Sequence, residues 1–210
     1  DWGPGHFLNV GEISALMAVG FDWIYDALTS AERVQIRNGI TAMGINPYLA
    51  RYDANEWWRG DNNNWNQVCN AGPLLAALAV AEGDYAKAEA VRSRAVASIT
   101  NSMESFKPDG AWPEGPTYWA YGATYNAFLL SGLRTALGDV FGLDADDGYA
   151  PFGRSGAFHI QTVGPDNAYF SFGDAKQIAY FSPVLFFLSH EFSNPVYAFY
   201  ERGLVQKDLP

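Results

Sequence analysis

Asp61-Asn62-Asn63-Asn64-Trp65-Asn66-Gln67 crowds five carboxamides and one carboxylate around a tryptophan, just ahead of an apolar run. Each side-chain amide brings two donors and one acceptor without net charge. A cluster of them at the mouth of a helix suits a polar or anionic ligand. Upstream, Trp57-Trp58-Arg59 adds two indole faces that pack on flat surfaces such as sugar rings, and a guanidinium that pairs bidentately with carboxylates. A plainer reading fits the same residues. Asn is a good helix N-cap, and the surplus amides then form a polar loop that hydrates itself. A second stretch, Trp112-Pro113-Glu114-Gly115-Pro116-Thr117-Tyr118-Trp119-Ala120-Tyr121, is also aromatic and carries one carboxylate. Aromatic platforms with amide and carboxylate groups between them are expected of a carbohydrate cleft. The alternative is a Pro-Gly turn whose Tyr and Trp cap the core.

The elements that must hold these stretches read as helices. Residues 10–28 carry apolar side chains at close to a 3.6 period. Thr29-Ser30-Ala31-Glu32 has the form of a capping box and opens a second helix to about residue 43, with Gly44 and Pro47 ending it. A third begins near Asn64 and runs to a stop at Gly83, with Pro73 inside it. A fourth covers about 84–106, and a fifth about 118–137. The odd-numbered starts, near 10, 64 and 118, recur at roughly 54 residues, the length of two helices and two loops. That spacing predicts stacked antiparallel hairpins, as a solenoid or an α/α toroid. Loops at equivalent ends of such an array are neighbours, so the two chemistry-bearing stretches should meet.

After residue 138 the pattern changes. Residues 139–155 read as loop. Phe158–Val163 and Ala168–Phe172 alternate with period two around Gly164-Pro165-Asp166-Asn167, which predicts a short β-hairpin near residues 158–172. Two apolar segments, about 183–192 and 195–203, close the chain with Pro183 and Pro195 in their first turns.

Composition narrows the function class. At 210 residues and 49% hydrophobic the chain can bury one sizeable core, so a single domain over 1–210 is expected. A net charge of −10 argues against a nucleic-acid partner. It also repels a polyanion at long range, which only a local cluster of donors offsets. Cys69 is alone, so there is no internal disulfide, and its apolar surroundings read as core. No uninterrupted apolar stretch of about 18 residues is present, so no membrane partner is expected. No metal or cofactor is expected either: there is no His-x-x-x-His or Cys pair, and Asp144, Asp146 and Asp147 read as a solvated acidic loop. The chain opens on Asp1-Trp2-Gly3, which reads as a processed protein or an excised fragment.

His6-Phe7-Leu8, Phe21-Asp22-Trp23-Ile24-Tyr25, Asn63-Asn64-Trp65, Asp109-Gly110 with Glu114–Trp119, and Phe172-Gly173-Asp174-Ala175 occur in that order. The ordered set resembles the heparinase II/III-like polysaccharide lyases, which include alginate lyases, over nearly the whole chain. The resemblance implies an all-α, incomplete (α/α) toroid. The β-sandwich domain that follows it in that family is absent from this chain. It further implies β-elimination of a uronic-acid polysaccharide or oligosaccharide by a secreted or periplasmic protein. Tyr118 matches the catalytic Tyr, Asn64 the group that neutralises the uronate carboxylate, and Gln67 a polar contact one turn further on. A His from the β-domain often completes such sites. Here His159 and His6 are the candidates, whereas His190 reads as a surface residue. Trp65 stands where some relatives have a His.

The chemistry suits these residue types. The C5 proton of a uronate is weakly acidic, and amide donors on its carboxylate lower the cost of the developing enolate. A tyrosine, with a reference pKa of about 10, needs an activator to serve as base, and Arg59 is one candidate. Tyr121 and Tyr125 compete with Tyr118. Arg59, Trp57, Trp58, Trp65, Asn63, Gln67, Glu114, Trp119, Tyr121 and His6 are the candidate substrate contacts. Two other functions remain open. One is a toroid glycoside hydrolase drawing an acid–base pair from Asp61, Asp109, Glu114 and Asp174. The other is a non-catalytic carbohydrate-binding fragment.

Overall fold

The computed structural model describes residues 1–208. The chain is all-α. Helix α1, Phe7–Ile24, buries one stripe, Phe7, Val10, Gly11, Ser14, Ala15, Ala18 and Phe21. It is long and apolar enough to cross a membrane by composition, but here that stripe packs on a neighbouring helix. Thr29 then forms the anticipated capping box: its Oγ1 accepts from Glu32 N–H at 3.3 Å, and Glu32 Oε2 accepts from Thr29 N–H at 2.8 Å. The helix it opens does not stop at Gly44 and Pro47. Helix α2, Ser30–Ile40, runs through a wide turn at Thr41–Ile45 into α3, Asn46–Asp53. Gly44 serves packing, because a Cβ there would collide with Ser14 Oγ and the Trp2 ring. Pro47 closely follows the wide turn, so the residue that lacks an N–H sits where the helical ladder is already irregular.

Helix α4, Asn64–Ala79, is the centre of the molecule. It crosses α1 backbone to backbone: a Cβ on Gly72 would fall inside the Gly11 carbonyl, and one on Gly11 would meet Val68 O. Gly11 faces Val68 and Gly72 while Ala18 and Asp22 share a cavity with Leu75 and Leu78, so the two helices run parallel. Helix α5, Tyr85–Met103, turns back along α4. Helix α6, Pro116–Leu137, runs parallel to α4, with Gly122 against Gln67 and Gly132 against Leu75. Helix α7, Tyr149–Gln161, returns along α6. Helices α8, Val184–Glu191, and α9, Pro195–Asp208, form a final hairpin, with α8 on α6 and α9 on α7. The result is a row of antiparallel hairpins in which α1, α4, α6 and α8 point the same way, and their N-terminal ends share one side.

Two expectations are corrected here. The segment assigned to loop, residues 139–155, already contains the first half of α7. The predicted β-hairpin is not formed, because residues 158–161 are the last turn of that helix. Its buried positions include Phe152, Ser155, Gly156 and His159, which share one helical face, with Pro151 and Gly153 beside them. A six-residue alternation fits either period, and packing selected the helical one. The Gly164–Asn167 turn does form, with Asn167 N–H donating to Gly164 O at 3.1 Å and Asn167 at φ 61. Beyond it, residues 168–182 form no helix; a turn at Gly173–Asp174 interrupts them, and they pair only through isolated bridges, Val163 with Tyr169 and Ala168 with Ile178.

Candidate functional site

The five amides at the mouth of α4 divide by task. Asn63 caps the helix, its Oδ1 accepting from Trp65 N–H at 3.0 Å while its Nδ2 donates to Asp61 at 3.2 Å. Asn62 is exposed and, among the described residues, bonds only through its backbone, its N–H donating to Asp61 Oδ1 at 2.7 Å and its carbonyl accepting from Ser105 Oγ. Asn66 turns into the core, donating to Trp58 O, Arg59 O and Ser98 Oγ at 3.0–3.1 Å. It locks the Trp57–Gly60 turn onto α4 and α5. Asn64 and Gln67 remain, both facing Gly122 of α6. Both are buried, and neither Gln67 amide atom has a protein partner among the described residues. A Cβ at position 122 would occupy the space taken by Gln67 Oε1, so the glycine is what admits this amide.

The second stretch meets the first, as the hairpin spacing predicts. Glu114 Oε2 accepts from Asn64 N–H at 2.9 Å and from Trp112 Nε1 at 3.2 Å, and its Oε1 accepts from Asn64 Nδ2 at 2.7 Å. A carboxylate here also faces the positive end of α4. Its backbone is fixed from two sides. Trp112 is 1% exposed and its carbonyl accepts from Gly115 N–H at 3.1 Å. Gly173 lies against Glu114 O, and Gly115, at φ 92, lies against Phe172 O. Lys176 N–H donates to Thr117 Oγ1 at 2.8 Å. The Phe172–Ala175 motif therefore packs directly on the turn that opens α6.

The aromatic candidates separate into surface and core. Trp57, 49% exposed, and His6 both contact the Trp65 ring, with centroids at 4.8 and 4.7 Å, giving a partly exposed aromatic row His6–Trp65–Trp57. Trp58 is fully buried, stacked on Phe7 at 5.1 Å and Tyr48 at 5.8 Å, and is a core residue. Arg59 turns back onto Tyr52, with its guanidinium 5.0 Å from the ring and Nη1 donating to Tyr52 O at 3.3 Å. Tyr118 is half-buried in the first turn of α6. Tyr121 donates to Glu12 of α1 at 2.5 Å, and burial together with that carboxylate raises its pKa. Tyr125 is pushed up to about 12 by burial.

His159 and Trp119 do not reach the open surface. Both are fully buried and stack on each other at 4.2 Å between α6 and α7, with Tyr169 edge-on to the imidazole at 5.5 Å. Burial lowers the His159 pKa to about 3, so the ring is neutral. The structure thus gathers Asn64, Gln67, Glu114 and the Tyr118 turn beside the Trp65 row. It leaves Trp58, Trp119 and His159 in the core. Three contributors were not singled out by residue type: Trp112, Gly122 and Thr117. Gly115 and Gly173, one on each side of the turn–strap contact, were the available signal for part of this packing.

Comparison of the chain with protein-family models and with curated proteins finds no match.

Proposed function

We propose that this chain is the helical, partial-toroid portion of a secreted or periplasmic polysaccharide lyase that cleaves uronic-acid-containing chains by β-elimination. The observation that supports this best is the Glu114–Asn64 contact. It brings the turn bearing Tyr118 to the amide at the mouth of α4, two groups drawn from hairpins about fifty residues apart. In this reading the Asn64 amide, through the Nδ2 hydrogen that Glu114 leaves free, stabilises charge on the uronate carboxylate as the enolate forms. Tyr118 removes the C5 proton. The electron pair forms the C4–C5 double bond, the C4–O bond breaks, and the departing oxygen takes up a proton from the same phenol. The His6–Trp65–Trp57 row supplies ring-stacking surface for neighbouring sugars.

The test is incubation of the chain with heparin-like, alginate and related uronate polymers, following absorbance in the unsaturated-uronate band. Turnover is expected, and Tyr118→Phe should lower it by about 10²–10⁴-fold. No unsaturated product from any of these polymers overturns the reading. New reducing ends without the double bond would instead select a hydrolase.

A further inference from the structure

We propose that Glu114 is a positioning residue that fixes the Asn64 carboxamide in one orientation at the mouth of α4. Its functional consequence rests on the lyase reading, whereas the orientation itself rests on geometry alone. Both oxygens of Glu114 are engaged by protein donors, three of which converge on it: Asn64 N–H and Trp112 Nε1 on Oε2 and Asn64 Nδ2 on Oε1, at 2.7–3.2 Å. A carboxylate accepts and cannot donate, so it repels Oδ1 and takes Nδ2, which removes the freedom of an amide to flip. Asn64 Oδ1 is thereby turned away from Glu114. It is buried and has no partner among the described residues. Leaving a buried acceptor without a protein partner is unfavourable, and capping alone does not explain it. Asn63 already caps α4 through Trp65 N–H, and an apolar residue at position 64 would leave Glu114 its backbone contact. The arrangement is that of a rigidly held amide presenting its remaining hydrogen and its oxygen away from Glu114. The root of the Glu114 side chain is also fixed, between buried Trp112 and the close approach of Gly173 to its carbonyl.

Glu114→Gln is the informative variant. The glutamine oxygen takes the Oε2 place, where two donors converge, and its NH2 then faces Asn64 Nδ2, donor against donor, so the Asn64 amide is released. Two readouts decide. In ¹H–¹⁵N spectra of the full chain, the Asn64 side-chain amide pair should shift in Glu114→Gln; an unmoved pair overturns the proposal whatever the activity. In kinetics on a uronate polymer, kcat should fall about 100-fold with KM little changed. Asn64→Ala with Glu114→Gln should then be no slower than Asn64→Ala alone. A raised KM at constant kcat, or losses that multiply in the double variant, would make Glu114 a substrate contact or an independent structural cap and overturn the proposal. If the wild-type chain is inactive on every polymer, the lyase reading falls, and the amide resonances still decide the orientation. Should Glu114→Gln fail to fold, the same resonances read in Glu114→Asp, which keeps the charge but loses the reach, take its place.

Discussion

Asn64 and Asn62 are two residues apart and chemically identical, yet the fold gives them opposite surroundings. Asn62 faces solvent, whereas Asn64 is 2% exposed and bonded twice to one carboxylate. Under the proposed lyase activity, Asn64→Ala is expected to lower kcat/KM by about 10²–10³-fold, the scale of removing one preorganised donor from a developing oxyanion. Asn62→Ala should stay within about twofold of wild type, because surface substitutions that touch no built feature are nearly neutral. Steady-state kinetics on a uronate polymer separates the two, and equal losses would return the whole run to helix capping. The amide surplus was visible in the sequence, but its division was not. Asn63, Asn64 and Asn66 point in different directions around the first turn of one helix, and only their partners on α5 and on the Glu114 turn distinguish a cap, a clamp and a tie.

At the scale of elements, the helices with strong apolar periodicity were legible: α1, α4, α5 and α6 lie close to where their patterns put them, and the hairpin spacing correctly placed two distant loops together. What was not legible depends on neighbours. The interruption at Gly44 and Pro47 has the composition of a helix end. The helix continues because Gly44 receives the Trp2 ring and the wide turn at Thr41–Ile45 makes the ladder irregular just where Pro47 lacks an N–H. Helix α7 is hidden for the same kind of reason. Its glycines have low helix propensity, but Gly153 and Gly156 are seats for the Phe192 and Tyr197 rings. Glycine acts most strongly where α1 and α4 touch. Gly72→Ala places a methyl group against the Gly11 backbone, which cannot yield as a side chain can. The expected loss is about 3 kcal/mol in urea unfolding, at the upper end for overpacking. Gly20→Ala, in open space on the same helix α1, should gain up to about 1 kcal/mol. A similar response at both sites would mean that the two helices are not in backbone contact.

For the molecule as a whole, the buried imidazole of His159 ties stability to pH. Burial holds its pKa near 3 in the folded chain, against about 6.5 when unfolded. Between those values the unfolded chain binds the extra proton, so stability rises with pH across the window. The contribution is complete above about pH 6.5 and is lost as pH falls toward 3. Between pH 7 and pH 5 it amounts to about 2 kcal/mol. Glu201 works in the opposite sense, since burial raises its pKa and favours the protonated form. His159→Phe isolates the histidine, because Glu201 is common to both proteins and the ring stack on Trp119 is kept. Urea unfolding at the two pH values should show the wild type losing about 2 kcal/mol more than His159→Phe on acidification, and equal losses would place the imidazole in water. One contact described for the site also reaches beyond it. Glu12 on α1 and Tyr121 on α6 meet although α4 lies between their helices. That bond is a strut across the span. It ties the helix that His6 caps to the helix carrying Tyr118, as a tie-beam joins two rafters across a ridge.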